Sequence, residues 1–158
     1  MAAKKRNTAA HFCAALIFVG DGLYVVDYED LSSPGSARKV KLPGGNQEND
    51  ENPSATIRRE FCEEVCADGL DGTPALLHER RVSSSHTQYY FGCQIKPEAR
   101  VRDCWLSDDD GEEQVGPPRL VSIAEALQVL HRPHREALAI ILEGYQDFQA
   151  KAAIVGGR

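Results

Sequence analysis

The order of signals along this 158-residue chain predicts a single α/β (α+β) domain: strands, a carboxylate-rich helix, further strands, and then helices. Three observations carry that expectation. Asn52-Pro53 reads as an N-cap and first helical position, followed by Ile57, Phe61 and Val65 at i, i+4 and i+8, the spacing of a helix with one buried face. Two runs of β-forming residues flank Gly20-Asp21-Gly22, a hairpin signal. Ser122-Ile123-Ala124-Glu125 has the form of a capping box, which starts a helix at Ile123.

Taken in order, Cys13 to Val19 and Leu23 to Tyr28 are apolar runs expected to pair across the glycine turn. Lys4-Lys5-Arg6 before the apolar stretch from Ala9 to Val19 has the outline of a secretion signal. His11 interrupts that stretch and an Asp-Gly turn stands where a cleavage site would, so it reads as a strand of a cytoplasmic protein. No run approaches the length that crosses a bilayer. Glu29 to Ser36 is a polar turn, Arg38 to Leu42 a short strand, and Gly44-Gly45 a place where backbone turns sharply or meets a ligand. Ala75 to Val82 and Thr87 to Ile95 form a second strand pair around Ser83-Ser84-Ser85. Pro133 opens the last helix, with Leu138, Ile141, Leu142 and Tyr145 on its apolar face. No segment repeats or looks like a linker, so residues 1–158 are one domain.

A formal charge of −6 argues against a general nucleic-acid binder, which needs a basic surface to release counterions. It leaves room for a phosphorylated small molecule, because a bound metal inverts the local field. Cys13, Cys62, Cys66, Cys93 and Cys104 are odd in number and contain no C-x-x-C pair, so neither a disulfide framework nor a zinc site is implied. They are expected as small buried residues in a reducing compartment. His131 and His134 read as surface or capping histidines, and Tyr89 and Tyr90 as strand residues. Trp105 suits either the core or a ligand face.

The chemistry lies in Arg59-Glu60-Phe61-Cys62-Glu63-Glu64. Glu60, Glu63 and Glu64 stand at i, i+3 and i+4, on one side of a helix, where like charges repel unless something positive offsets them. No lysine is nearby, and oxygen-only donors suit a hard divalent cation, magnesium or manganese rather than zinc.

The segment from Gly45 to Ala67 resembles the Nudix box, G-x5-E-x7-R-E-U-x-E-E-x-G-U, with U a bulky aliphatic residue. Gly45, Glu51, Arg59, Glu60, Glu63 and Glu64 match in register, and Phe61 fills the first U. Cys66 stands in place of glycine and Ala67 is a small final U; the box spans 23 of the 158 residues. Since Cys66 resists the left-handed conformation that ends a helix, the helix is expected to run on by up to a turn and stop at Gly69.

The resemblance implies a Nudix-like α/β/α sandwich, a mixed sheet between helices. It also implies Mg²⁺- or Mn²⁺-dependent hydrolysis of the diphosphate bond in a nucleoside diphosphate joined to another group. Glu60, Glu63, Glu64 and the carbonyl of Gly45 would hold the metal. Arg59 would fix Glu60, and Glu51 would be an outer ligand or a backbone contact. The general base would be Glu60 or, from the acidic loop Asp108 to Glu113, Glu112 or Glu113. Pro74 comes too early after the box for the ADP-ribose hydrolase pattern, and Tyr89 and Tyr90 too late for the dinucleoside polyphosphate one. A nucleoside triphosphate is therefore the leading substrate, with ADP-ribose or a nucleotide sugar behind it. A non-catalytic nucleotide-binding regulatory module is the reading of another class. The expected partner is a small nucleotide, with no nucleic acid or membrane, and a homodimer is compatible with this.

Overall fold

The computed structural model describes residues 10–32, 38–108 and 111–156, with 146–156 described as backbone only. In chain order the elements are β1 (Ala10–Leu16), β2 (Phe18–Val19), β3 (Gly22–Asp30), β4 (Lys39–Lys41), β5 (Gly44–Asn46) and α1 (Pro53–Glu64). There follow β6 (Leu70–Ser83), β7 (His86–Ile95), β8 (Leu106–Ser107), β9 (Glu113–Val115), β10 (Arg119–Ser122), α2 (Ile123–Val129) and α3 (Arg132–Gly156).

The central strand shows why the layers form. Successive strand residues face opposite sides, and β1 is apolar on both. Ala14 and Leu16 join Tyr90, Ala126, Leu130 and Leu138 in one core, whereas Cys13, Ala15 and the following Ile17 join Ile57, Phe61 and Phe91 in another. A strand buried on both faces must be covered on both. α1 supplies one cover, and α2 with α3 the other. The sheet runs β5-β1-β7-β6, with β1 and β7 parallel from Ala10↔His86 to Leu16↔Gly92 and the remaining pairs antiparallel. That is the mixed sheet between helices expected from the sequence. A second sheet, β10-β3-β9-β8, with β2 and β4 also on β3, carries the other wall of the cleft described below.

The first hairpin is shorter than expected. The glycine turn joins β2 to β3, through Phe18↔Leu23 and Val19↔Gly22, while β1 pairs with β5 and β7 in the other sheet. The chain changes sheets at Ile17, whose buried side chain stays in the α1 core while its carbonyl accepts from Tyr24 N–H at 3.2 Å. Other boundaries hold: Ser122 caps α2 by accepting from Glu125 N–H at 3.1 Å, and α3 begins one residue before Pro133. Lys4-Lys5-Arg6, Ser33-Pro34-Gly35 and Asp109-Asp110 lie outside the described residues. Among the described residues, no helix is long and apolar enough to cross a membrane.

The end of α1 is also different. It stops at Glu64 without the extra turn, and Asp68 rather than Gly69 takes the left-handed conformation, at φ 55. Val65 and Cys66 N–H groups both close on the Phe61 carbonyl, while the buried Cys66 thiol donates to Arg100 O at 3.0 Å. Gly69 is needed for space: a Cβ there would meet Cys66 and Ala99. Cysteine at the box's glycine position therefore becomes a packing residue, and the carboxylates upstream stay on the helix. Cys13 and Cys93 are likewise buried, but Cys62 and Cys104 are exposed, against the expectation that all five are internal.

Candidate active site

Asn52 accepts from Ala55 N–H at 2.8 Å and Pro53 occupies the first turn, which fixes where α1 starts. Ile57, Phe61 and Val65 anchor its inner face. The adjoining stripe then faces the loop from Leu42 to Glu51. Gly44 and Gly45 let the two meet. A Cβ on Gly44 would strike the β1 backbone at Cys13, and one on Gly45 would strike the Glu60 carboxylate.

Arg59 is the hub of the box. Its guanidinium donates to Glu51 Oε2 at 2.9 Å and Oε1 at 3.1 Å, to Glu60 Oε1 at 2.8 Å, to Glu63 Oε2 at 3.2 Å and to Asn46 O at 2.9 Å. Burial works against its charge, but the hydrogen bonds to Glu51 and Glu60 outweigh that and raise its pKa. Glu51 also accepts from Glu48 N–H at 2.9 Å and from Thr56 Oγ1 at 3.2 Å, and Thr56 in turn shares a 2.8 Å hydrogen bond with buried His11. Arg59 above all holds the Glu51 carboxyl down at about 2. Of the two expected roles for Glu51, the backbone contact is the one this geometry presents.

Glu60 and Glu64 are set differently. Glu60 is 8% exposed, and burial pushes its carboxyl up despite Arg59. Burial pushes Glu64 up to about 8, although Gly44 N–H donates to its Oε2 at 2.8 Å and Arg102 lies nearby. Glu60 Oε2 and Glu64 Oε1 accept no hydrogen bond among the described residues. Gln47, also in the cleft wall, keeps a buried Oε1 without a partner among the described residues. Glu63, with its side chain 53% exposed, stays at the rim beside Arg59. Among the described residues, no group of three His, Cys, Asp or Glu is gathered closely enough to hold a metal ion. The orphaned oxygens and all-oxygen chemistry still fit a hard cation, with Arg59 now spanning the gap between Glu60 and Glu63.

The cleft over these groups has a volume of about 360 Å³. It is also lined by Phe12, Val26, Tyr28, Lys41, Glu113 and Val115. The acidic loop is thereby sorted. Both Glu112 and Glu113 are exposed, but Glu113 lines the cleft, whereas Glu112 does not, its N–H being donated to Asp108 Oδ1 at 2.8 Å and its carbonyl accepting from Leu31 N–H at 2.6 Å. A larger groove of about 1,110 Å³ lies between α3 and the β6–β7 face, but its walls are mainly apolar and it contains none of the box residues.

Several contributors were not anticipated. Lys41 and Tyr28 line the cleft. Arg102 donates to Glu64 O at 2.7 Å and to Gly116 O at 2.6 Å, tying the end of α1 to the second sheet. His134 is a buried anchor rather than a surface residue: its Nδ1 accepts from Leu42 N–H at 2.9 Å, and burial lowers its pKa to about 3. The strand pattern Lys39-Val40-Lys41 was the available signal for Lys41; nothing local marked Arg102 or His134. Tyr90 is fully buried, while Trp105 is partly exposed beneath the Arg38 guanidinium at 5.1 Å.

The architecture is that of the Nudix hydrolases. An ADP compounds hydrolase is 16% identical, with 91% of this chain and 76% of that one covered at a TM-score of 0.63. The MutT protein from Methanosarcina mazei Go1 is 16% identical over 89% of this chain and 97% of its own, at 0.59. A nudix hydrolase family member from Chromobacterium violaceum is 18% identical over 94% and 89%, at 0.56. No protein-family model and no curated protein matches the chain. The likeness read from the Gly45–Ala67 box is thus borne out in the fold.

Proposed function

We propose that this protein is a divalent-metal-dependent hydrolase that cleaves the diphosphate bond of a nucleoside diphosphate joined to another group, with nucleoside triphosphates as the leading substrates. One observation carries the reading: Glu60 and Glu64, both desolvated, offer unpartnered oxygens into a cleft whose backbone is opened by Gly44 and Gly45. Two partly buried carboxylates left in this state call for a cation.

Glu64, the Gly45 carbonyl and Glu63 from the rim would hold Mg²⁺ or Mn²⁺ beside Glu60. When bound, the cation supplies charge neutralisation and orientation for the phosphate oxygens. Arg59 fixes Glu60 through Oε1, leaving Oε2 to accept the proton of the attacking water. The burial that raises the Glu60 pKa makes it a better base near neutrality. Glu113 lines the β3–β9 wall of the cleft, whereas Glu60 is held by Arg59 beside Glu64, so the proton role is assigned to Glu60.

A second reading is favoured by one observation. Arg59 already pairs with one oxygen each of Glu60 and Glu63, as suits a nucleotide-binding module without turnover. ADP-ribose and nucleotide sugars remain alternatives within the hydrolase reading, in keeping with the likeness to the ADP compounds hydrolase. Wild type and Glu64→Gln should be assayed with magnesium on nucleoside triphosphates, ADP-ribose and nucleotide sugars. Metal-dependent product release that the variant loses supports the hydrolase. Binding without turnover across the panel supports the module.

A further inference from the structure

The cleft lining is chemically mixed. Glu48, Glu60, Glu64 and the glycine loop supply oxygens, while Phe12, Val26, Leu42 and Val115 supply apolar walls. Register explains the wall built on β3. Val26 pairs with Lys41, Tyr28 with Val115, and Asp30 with Glu113, so alternate residues of β3 bring Lys41, Tyr28, Glu113 and Val115 onto one face.

Lys41 is the only Lys or Arg lining the cleft among the described residues, and it makes no ion pair among them. Its ammonium lies 3.8 Å from the centroid of the Tyr28 ring, a cation–π contact that fixes its direction. Tyr28 and Glu113 line the same cleft wall, Tyr28 standing two residues before the Asp30 that pairs with Glu113. The β3 wall therefore holds an ammonium donor and a carboxylate acceptor on one face. An ammonium only donates and an ionised carboxylate only accepts. Apolar walls around a few convergent polar groups suit a flat heterocycle.

The edge that matches is a ring carbonyl next to a ring N–H, as in a 6-keto purine or a 4-keto pyrimidine. An amino base in the same pose turns its exocyclic donors toward the ammonium and leaves Glu113 facing a ring nitrogen that also accepts. Resting on the reading that the cleft takes a nucleotide, we propose that Lys41 and Glu113 select keto bases over amino bases, with Lys41 Nζ donating to the carbonyl and Glu113 accepting from the adjacent N–H.

The test compares guanosine, uridine, adenosine and cytidine triphosphates, by kcat/KM with magnesium and in parallel by equilibrium dialysis. Wild type should favour the keto pair by about tenfold, the scale of a single well-placed base contact. Lys41→Met should reduce the preference to within about twofold, mostly through KM, and Lys41→Arg should keep it. Glu113→Gln, a second variant in case Lys41→Met does not fold, should also weaken it. An amino preference in wild type, or an unchanged preference in the folded variants, overturns the proposal. If nothing is hydrolysed but binding retains a Lys41-dependent keto preference, the hydrolase reading falls and base selection stands. If binding shows no such preference either, base selection falls too.

Discussion

Glu51 and Glu64 stand on opposite sides of Arg59 in sequence and have opposite surroundings. Glu51 accepts from a guanidinium, a backbone N–H and a hydroxyl, and its pKa lies at about 2. Glu64 accepts one backbone N–H, and burial drives it up to about 8. One carboxylate is stabilised as an anion by the protein alone; the other is left wanting charge. The difference separates architecture from chemistry inside a single motif. Glu51, Thr56, His11 and Arg59 form a closed network that holds the loop on the helix, while Glu60 and Glu64 remain incompletely satisfied beside open space.

The largest effect should come from the unsatisfied side. Glu60→Gln and Glu64→Gln should each lower metal-dependent turnover at least about 100-fold, because even outer partners of a metal site cost about 10–100-fold. Melting temperature should be retained, since neither change empties volume from the core. Retained turnover with lost stability would reverse the roles assigned to the two sides.

Arg59→Met should act on both sides at once. It leaves Glu51 without its main partner and frees Glu60, so turnover should fall about 10–100-fold and stability by about 2–3 kcal/mol. Glu51→Gln sharpens the contrast: stability should drop by about 1–2 kcal/mol, with a smaller kinetic loss than in Glu64→Gln. Denaturant unfolding and steady-state kinetics on the same preparations check the pair. If Glu51→Gln abolishes turnover as fully as Glu64→Gln, the division is wrong.

The start of α1, its buried face and the carboxylate stripe were legible because their determinants are local. Asn52, Pro53, the Ile57-Phe61-Val65 face and the Glu60-Glu63-Glu64 spacing all lie within α1 or one residue of it. What spacing could not show was that the stripe divides, with Glu63 left at the rim by its bond to Arg59. The Lys41–Tyr28–Glu113 wall was illegible for a different reason. Its residues meet only because β4 and β9 both pair with β3, and sequence periodicity does not specify pairing partners across such separations. Ile17 misled in the same way: a run that looks like one strand splits between two sheets because its side chain belongs to the α1 core.

His134 extends the comparison away from the motif and gives the smallest expected effect. Its neutral Nδ1 accepts the Leu42 N–H just ahead of the glycine loop, so His134→Leu should strand a buried donor and cost about 1–3 kcal/mol, and His134→Gln less. The pH dependence separates this histidine from Glu51. With a folded pKa near 3 against an ordinary 6.5, the unfolded chain binds more protons between those values. The His134 contribution is therefore fully present above about 6.5 and is lost as pH falls toward 3. The Glu51 contribution has the same sign but begins only below its ordinary 4.5 and runs down to about 2. Between about pH 7.5 and 5.5 the raised Glu64 gains stability while His134 loses it, so the readout is the difference between proteins: by urea unfolding, His134→Gln should lose less or gain more than wild type over that interval, and Glu51→Gln should change as wild type does. Equal changes in all three proteins would mean that the imidazole is not held neutral against the Leu42 N–H ahead of the glycine loop.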